Sequence, residues 1–210
     1  RLIAFPAQEA DEAALLRHAL QPRRAAPVSG GFQWAAALRW LGAVELLGLL
    51  AFPFIALAFG KLADNGYAVA KAFGLLLPAY LVWIGASLNL FAATRPAIFA
   101  AIALIGAASL TLALWLRRHF LRVIRRRWKI FLAYEAAFCA AFAGFLAFRA
   151  FNPDIFWSES SMDFSILNVL TRSEAFPPVD PWMSGHPLNY YYNGHFLAAM
   201  LAKLPNIAPQ

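Results

Sequence analysis

The residues best suited to chemistry lie between positions 152 and 195. Glu159 and Asp163 are four apart, so a helix through them puts both carboxylates on one face, directed at one point. Paired carboxylates can serve as a general base for a sugar hydroxyl or hold a divalent cation, and a divalent metal ion is the one cofactor the pattern suggests. Ser160 and Asp163 also have the spacing of a capping box, which makes Asp163 part of a helix start. The apolar positions Phe164, Leu167, Val169 and Leu170 then describe a short helix on the bilayer, Phe164 and Leu167 turned toward lipid and Arg172 at its C-terminal end. The two readings are compatible, because a surface helix holds a carboxylate at the interface.

Further along, Asp180, His186, Asn189, Tyr190, Tyr191, Tyr192 and His195 form a dense array of carboxylate, imidazole, amide and hydroxyl groups, of the kind that binds sugars and phosphates. Pro177, Pro178, Pro181 and Pro187 give the approach to them an extended, rigid path. The bland alternative is that Trp182 and the three tyrosines are headgroup-level anchors, as in any membrane protein. His186 and His195 do not have the spacing of a helical zinc pair, so no metal ligand is assigned.

The elements that must position these groups are apolar helices. Hydrophobic residues make up 61% of the 210 and charged ones only 14%, against about 25% in ordinary soluble chains. Between Arg39 and Lys61 the only charge is Glu45, from Lys71 to Arg95 and from Arg95 to Arg117 there is none, and between Lys129 and Arg149 there is only Glu135. About 20 apolar residues cross the hydrocarbon core, so four helical spans are predicted, near 40–60, 72–92, 97–116 and 130–150. Unbroken Leu, Ala, Phe, Ile and Gly runs do not suit β-barrel strands, and four helices apolar all round leave a soluble bundle nothing to face water. Residues 190–204 start like a fifth helix that Lys203 and Pro205 stop short, and residues 8–20 suit a short amphipathic helix. Arg1 in place of Met and this short last run predict a sequence that continues beyond both ends. The lone cysteine, Cys139, excludes an intrachain disulfide and is read as a packing residue.

Charge orients the helices. Arg117, Arg118, Arg122, Arg125, Arg126, Arg127 and Lys129 crowd between the third and fourth spans with no acidic residue among them, which predicts a cytoplasmic loop over 117–129 rather than a nucleic-acid site. Residues 152–189 then face outward, in agreement with Asp154, Glu159, Asp163, Glu174 and Asp180 against Arg172 alone. Arg1, Arg17, Arg23, Arg24 and Arg39 in the first 39 residues pull the other way, and the seven-residue cluster is given the greater weight. Glu45 and Glu135 are read as reaching the interface or pairing with a neighbouring helix. A proton or ion pathway is the lesser reading, because two glutamates scattered over four helices do not make the cluster such a pathway needs.

Four motifs in order carry a family resemblance: Asp64-Asn-Gly-Tyr-Ala-Val-Ala-Lys-Ala-Phe-Gly74, Ser158-Glu-Ser-Ser-Met-Asp-Phe164, Phe176-Pro-Pro-Val-Asp-Pro-Trp182 and Asn189-Tyr-Tyr-Tyr-Asn-Gly-His195. Over roughly residues 40–204 the chain resembles the YYY family of membrane proteins, named for that tyrosine triplet, and this resemblance implies no particular reaction. A more distant likeness does. A basic flank, an outward span, an acidic first outer loop, a surface helix and a proline segment into the next span are similar to the C-type glycosyltransferase superfamily. That similarity implies a polyprenyl-phosphate sugar as donor and an outer-loop carboxylate acting on the acceptor, with Asp163 the best positional match and Glu159 the second. The three spans before the basic flank depart from the superfamily's pattern and read as an added module.

The sequence thus predicts an all-α membrane protein of the cell membrane, four transmembrane helices plus the start of a fifth, with an external loop carrying a short surface helix. Its expected segments are 1–39, an amphipathic stretch and linker; 40–116, a three-helix membrane module; 117–129, the basic loop; and 130–210, the outward helix with its acidic, aromatic loop. The functional expectation is a glycosyltransferase using a lipid-linked sugar, with Asp163 or Glu159 as base and Arg172, Asp180, His186, Asn189, Tyr190, Tyr191, Tyr192 and His195 shaping the sugar and phosphate site. The rival is a transporter or assembly scaffold, although no internal repeat of the transporter kind is present. The partners expected are the lipid bilayer and a polyprenyl-phosphate sugar, with no nucleic acid.

Overall fold

A computed structural model describes residues 34–151, 159–183 and 185–207, and the expectation of an amphipathic helix over 8–20 lies outside them. Six helices follow one another: α1 Trp34–Ala58, α2 Tyr67–Ser87, α3 Arg95–Trp115, α4 Arg117–Phe151, α5 Ser160–Arg172 and α6 Asn193–Lys203. The first four are long and apolar enough to cross a membrane, and the fold is all-helical; among the described residues the only β pairing is an isolated bridge between Val179 and Pro187. Pro53 and Pro78 sit inside α1 and α2, tolerated there as membrane helices tolerate proline.

α1 and α2 form a close hairpin. At Gly74 a Cβ would lie 2.2 Å from the Leu47 carbonyl oxygen, and at Gly48 it would lie 2.8 Å from the Lys71 side chain, so the two backbones approach to a distance only glycine allows. The turn between them is built by the first resemblance motif. Asp64 is buried, and its carboxylate accepts from the Gly66 and Ala68 N–H groups at 3.1 and 3.0 Å, while Asn65 and Gly66 take the left-handed conformations that the reversal needs. α3 starts on Thr94, whose hydroxyl accepts from Ala97 N–H, with a proline in its first turn, and packs on both hairpin helices through Ile98 and Ala101.

The basic stretch is not a loop. It forms the first 13 residues of the 35-residue α4, and only Leu116 separates it from α3. Every helical position there favours continuation, since Arg, Lys, Leu and Ile are good helix formers and no Gly or Pro interrupts. Phe120 and Phe131 pack α4 against Phe52, Ala56, Ala70 and Tyr67 at the end of the hairpin near its turn. Cys139, expected in packing, is exposed on α4.

α5 and α6 pair with each other and cap the opposite end of the hairpin, through Ile166, Leu170, Phe196, Ala199 and Met200 in one core with Ala79, Val82, Ala86 and Ile98. Polar ties fasten the join. Ala93 N–H donates to the Glu174 carbonyl at 2.6 Å, Lys203 Nζ donates to the Ala93 and Ser173 carbonyls, and Arg95 donates to the Leu204 carbonyl. The helix expected over 160–172 is present with those bounds, but Leu167 packs toward this protein core, not outward to lipid. The apolar side of α5 is used by α6 and the hairpin, which offer it protein partners that the local sequence does not reveal.

Candidate functional site

Asp163 stands in the first turn of α5, where its N–H donates to the Glu159 carbonyl at 2.9 Å. The expected capping box does not form. The residue at the cap is Glu159, in a right-handed helical conformation and with no side-chain capping bond, so Ser160 is already inside the helix. That leaves the Asp163 carboxylate free to cross to α6, where its Oδ1 lies 3.1 Å from His195 Nε2. His195 Nδ1 in turn lies 3.3 Å from the Tyr191 carbonyl oxygen.

Both neighbours of the imidazole are acceptors, so each ring nitrogen is met by a group that wants its proton. The ring is thereby held in one orientation, with Nε2–H toward the carboxylate. The His195 side chain is 22% exposed and that of Asp163 49%, so the pair is anchored on its imidazole side and open on its carboxylate side. A half-open carboxylate, oriented by an imidazole that can share charge with it, is suited to accept a proton from an approaching hydroxyl.

The remaining predicted residues divide. Glu159 is exposed one turn before Asp163 and has no side-chain bond to the pair. Tyr190 and Tyr191 are exposed and meet edge to face at 5.6 Å, next to the histidine that the Tyr191 carbonyl holds. Tyr192 is different: its hydroxyl accepts from Trp83 Nε1–H at 3.2 Å and its ring stacks on Phe176, so it belongs to the join with α2 and not to an open array. Asp180 is occupied locally, its Oδ1 accepting from the Trp182 and Met183 N–H groups while its own N–H donates to the His186 carbonyl. The imidazole of His186 and the amide of Asn189 are exposed on that loop. Arg172 is nine residues beyond Asp163, about 13–14 Å along α5, at the opposite end from the pair.

A second polar cluster escaped the sequence reading. Lys71 of α2 lies 3.1 Å from Glu45 of α1 and 2.5 Å from Glu135 of α4, and the Tyr67 hydroxyl donates to Glu135 as well. The two glutamates are therefore not scattered but converge on one ammonium, which bears out the pairing read for them and corrects the reason given for it. The signal was available: each span was bounded at its nearest charge, which treated Lys71 as an edge when it lies one turn inside α2. Glu45, Glu135 and Cys139 also bring ligand-type atoms within 4.8 Å of one another, but the Lys71 ammonium already sits against both carboxylates, where a metal cation would have to displace it.

A model of a family described as uncharacterized membrane protein (DUF2298) matches residues 77–210. That span takes in three of the four motifs quoted above, and with them both members of the Asp163–His195 pair. No curated protein and no solved structure matches the chain.

Proposed function

This multi-pass membrane protein belongs to the DUF2298 family, and from that premise we propose that it is a membrane glycosyltransferase drawing its sugar from a lipid-linked phosphate donor. One observation carries the reading: a half-open carboxylate at the end of a membrane bundle is gripped by an imidazole from the neighbouring helix. In this proposal the acceptor hydroxyl gives its proton to Asp163 as its oxygen bonds to the anomeric carbon. The bond from that carbon to the donor phosphate oxygen breaks, and the electron pair leaves with the lipid phosphate. His195 is a positioning residue that holds Asp163, and the exposed rings of Tyr190 and Tyr191 offer stacking and hydroxyl contacts to the sugar. Among the predicted phosphate ligands Arg172 is the least favourably placed for this site, so the charge of the leaving phosphate falls to other cations.

The test is sugar transfer by membranes carrying the chain in its full-length protein, supplied with a polyprenyl-phosphate sugar. Asp163→Asn keeps the shape of the side chain and cannot accept a proton at neutral pH, so transfer should fall by at least about 100-fold with expression unchanged. Full activity in both Asp163→Asn and Glu159→Gln removes the enzymatic reading. The transporter reading would then lead, because the Glu45–Lys71–Glu135 cluster is a set of ionisable groups within membrane spans.

A further inference from the structure

The first 13 residues of α4 carry seven cations, all exposed, and among the described residues no carboxylate pairs with any of them. Their arrangement is not uniform. At 3.6 residues per turn, Arg118, Arg122, Arg125, Arg126 and Lys129 fall within an arc of about 100°, while Arg117 and Arg127 lie outside it. The opposite side of the helix is docked: Phe120 is buried and Val123 half-buried against the end of the hairpin. On one flank, between stripe and docked side, Leu121, Ile124 and Trp128 occupy an arc of about 60°. All three are exposed, by 51%, 46% and 52%.

Depth follows from length. Residues 130–151 alone extend about 33 Å as a helix, enough for the roughly 30 Å hydrocarbon core, so the stretch 117–129 is not needed for crossing and lies at the edge of it. A helix anchored to the bundle on one side, cationic on another and apolar between the two matches the layered chemistry of a lipid headgroup region, phosphate outside and acyl chain inside.

We infer that this stretch is a binding surface for anionic phospholipid headgroups, with the five-cation stripe on the phosphates and Leu121, Ile124 and Trp128 in the outermost acyl layer. Charge complementarity selects an anionic partner, since no acid tempers the stripe. The apolar flank selects a lipid over a soluble polyanion, which would leave those three side chains in water. The general bias of cations toward the cytoplasmic face is a different effect: it depends on how many cations a segment carries, not on which side of the helix they occupy.

That difference supplies the experiment. The full chain, purified in zwitterionic detergent, is mixed with acyl-labelled phosphatidylglycerol or phosphatidylcholine, and the lipid co-eluting with protein is measured. The wild type should retain phosphatidylglycerol at least about ten-fold over phosphatidylcholine at low salt and lose that preference as salt rises. Arg122→Gln with Arg125→Gln removes two stripe cations; Arg117→Gln with Arg127→Gln removes two from outside it, and five remain in each. The stripe pair should lower retention at least about three-fold more than the other pair, with Arg118→Gln and Arg126→Gln as a second stripe pair should the first not fold. Equal retention of the two lipids by the wild type overturns the inference, as does equal loss in the stripe and off-stripe pairs. Complete displacement of phosphatidylglycerol by inorganic polyphosphate at equal phosphate concentration would also overturn it, in favour of a soluble partner.

Discussion

At the scale of single residues, the Asp163–His195 contact separates two carboxylates that the sequence presents as near equals. Glu159 has the same chemistry and the same local spacing, but only Asp163 has a partner on another helix. If His195 acts by holding Asp163, His195→Asn should lower kcat of sugar transfer by about ten-fold while KM for the donor changes little, because orientation is lost and binding is kept. A fall confined to KM would reassign His195 to substrate contact. Lys71 invites a test of another kind. Replacing it by Met leaves Glu45 and Glu135 facing each other with no cation between them, a change that costs about 3–5 kcal/mol where such a pair is fully buried and less at this partly open site. The thermal midpoint of the detergent-solubilised protein should fall, and recover when Glu45→Gln and Glu135→Gln are added to Lys71→Met. Failure of the triple variant to recover would mean that the three groups contribute beyond their mutual charge.

Among elements, the hairpin of α1 and α2 depends on backbone proximity more than on bulk. Gly74→Leu puts a branched side chain where even a Cβ meets the Leu47 carbonyl, so overpacking should destabilise the protein by about 1–3 kcal/mol, seen as a lower thermal midpoint. Gly144 on the far part of α4 has nothing within 4 Å of its added Cβ, and Gly144→Leu serves as the tolerated control. α5 provides a contrast in capping. Because Ser160 is the first residue inside the helix and not its cap, Ser160→Ala should change stability by less than about 0.5 kcal/mol, against the roughly 1 kcal/mol expected of a capping serine. A loss at the larger value would restore the capping box.

For the whole molecule, the basic stretch and the α5–α6 pair sit at opposite ends of the hairpin, the first against Phe52 and Ala56 near its turn and the second against Ala86 and Ala93. This fits an arrangement with 117–129 cytoplasmic and Glu159 to Tyr191 external, for which the cation cluster is the charge argument. With Cys139 replaced, single cysteines at Ser161 and Arg126, both exposed, distinguish the sides. An impermeant thiol reagent on intact cells should modify position 161 and spare 126. The reverse pattern would invert the topology and place the Asp163–His195 pair in the cytoplasm.

The sequence by itself determined the class of the protein and the position of its elements. Uninterrupted apolar runs have one stable solution in lipid, a helix that satisfies its own backbone, and α5 could be bounded to the residue because its apolar spacing is local. What it could not determine was which side chains meet. Asp163 and His195 are 32 residues apart, and Lys71 and Glu135 are 64 apart. Their contacts come from the way α6 lies on α5 and α4 crosses the hairpin, and interhelical packing leaves no period in the chain. The same limit explains the tyrosine triplet. Three identical neighbours read as one array, yet where the loop enters α6 the third is turned into the protein toward Trp83 and Phe176 while the first two remain outside, a division set by the packing of the join and not by the residues themselves.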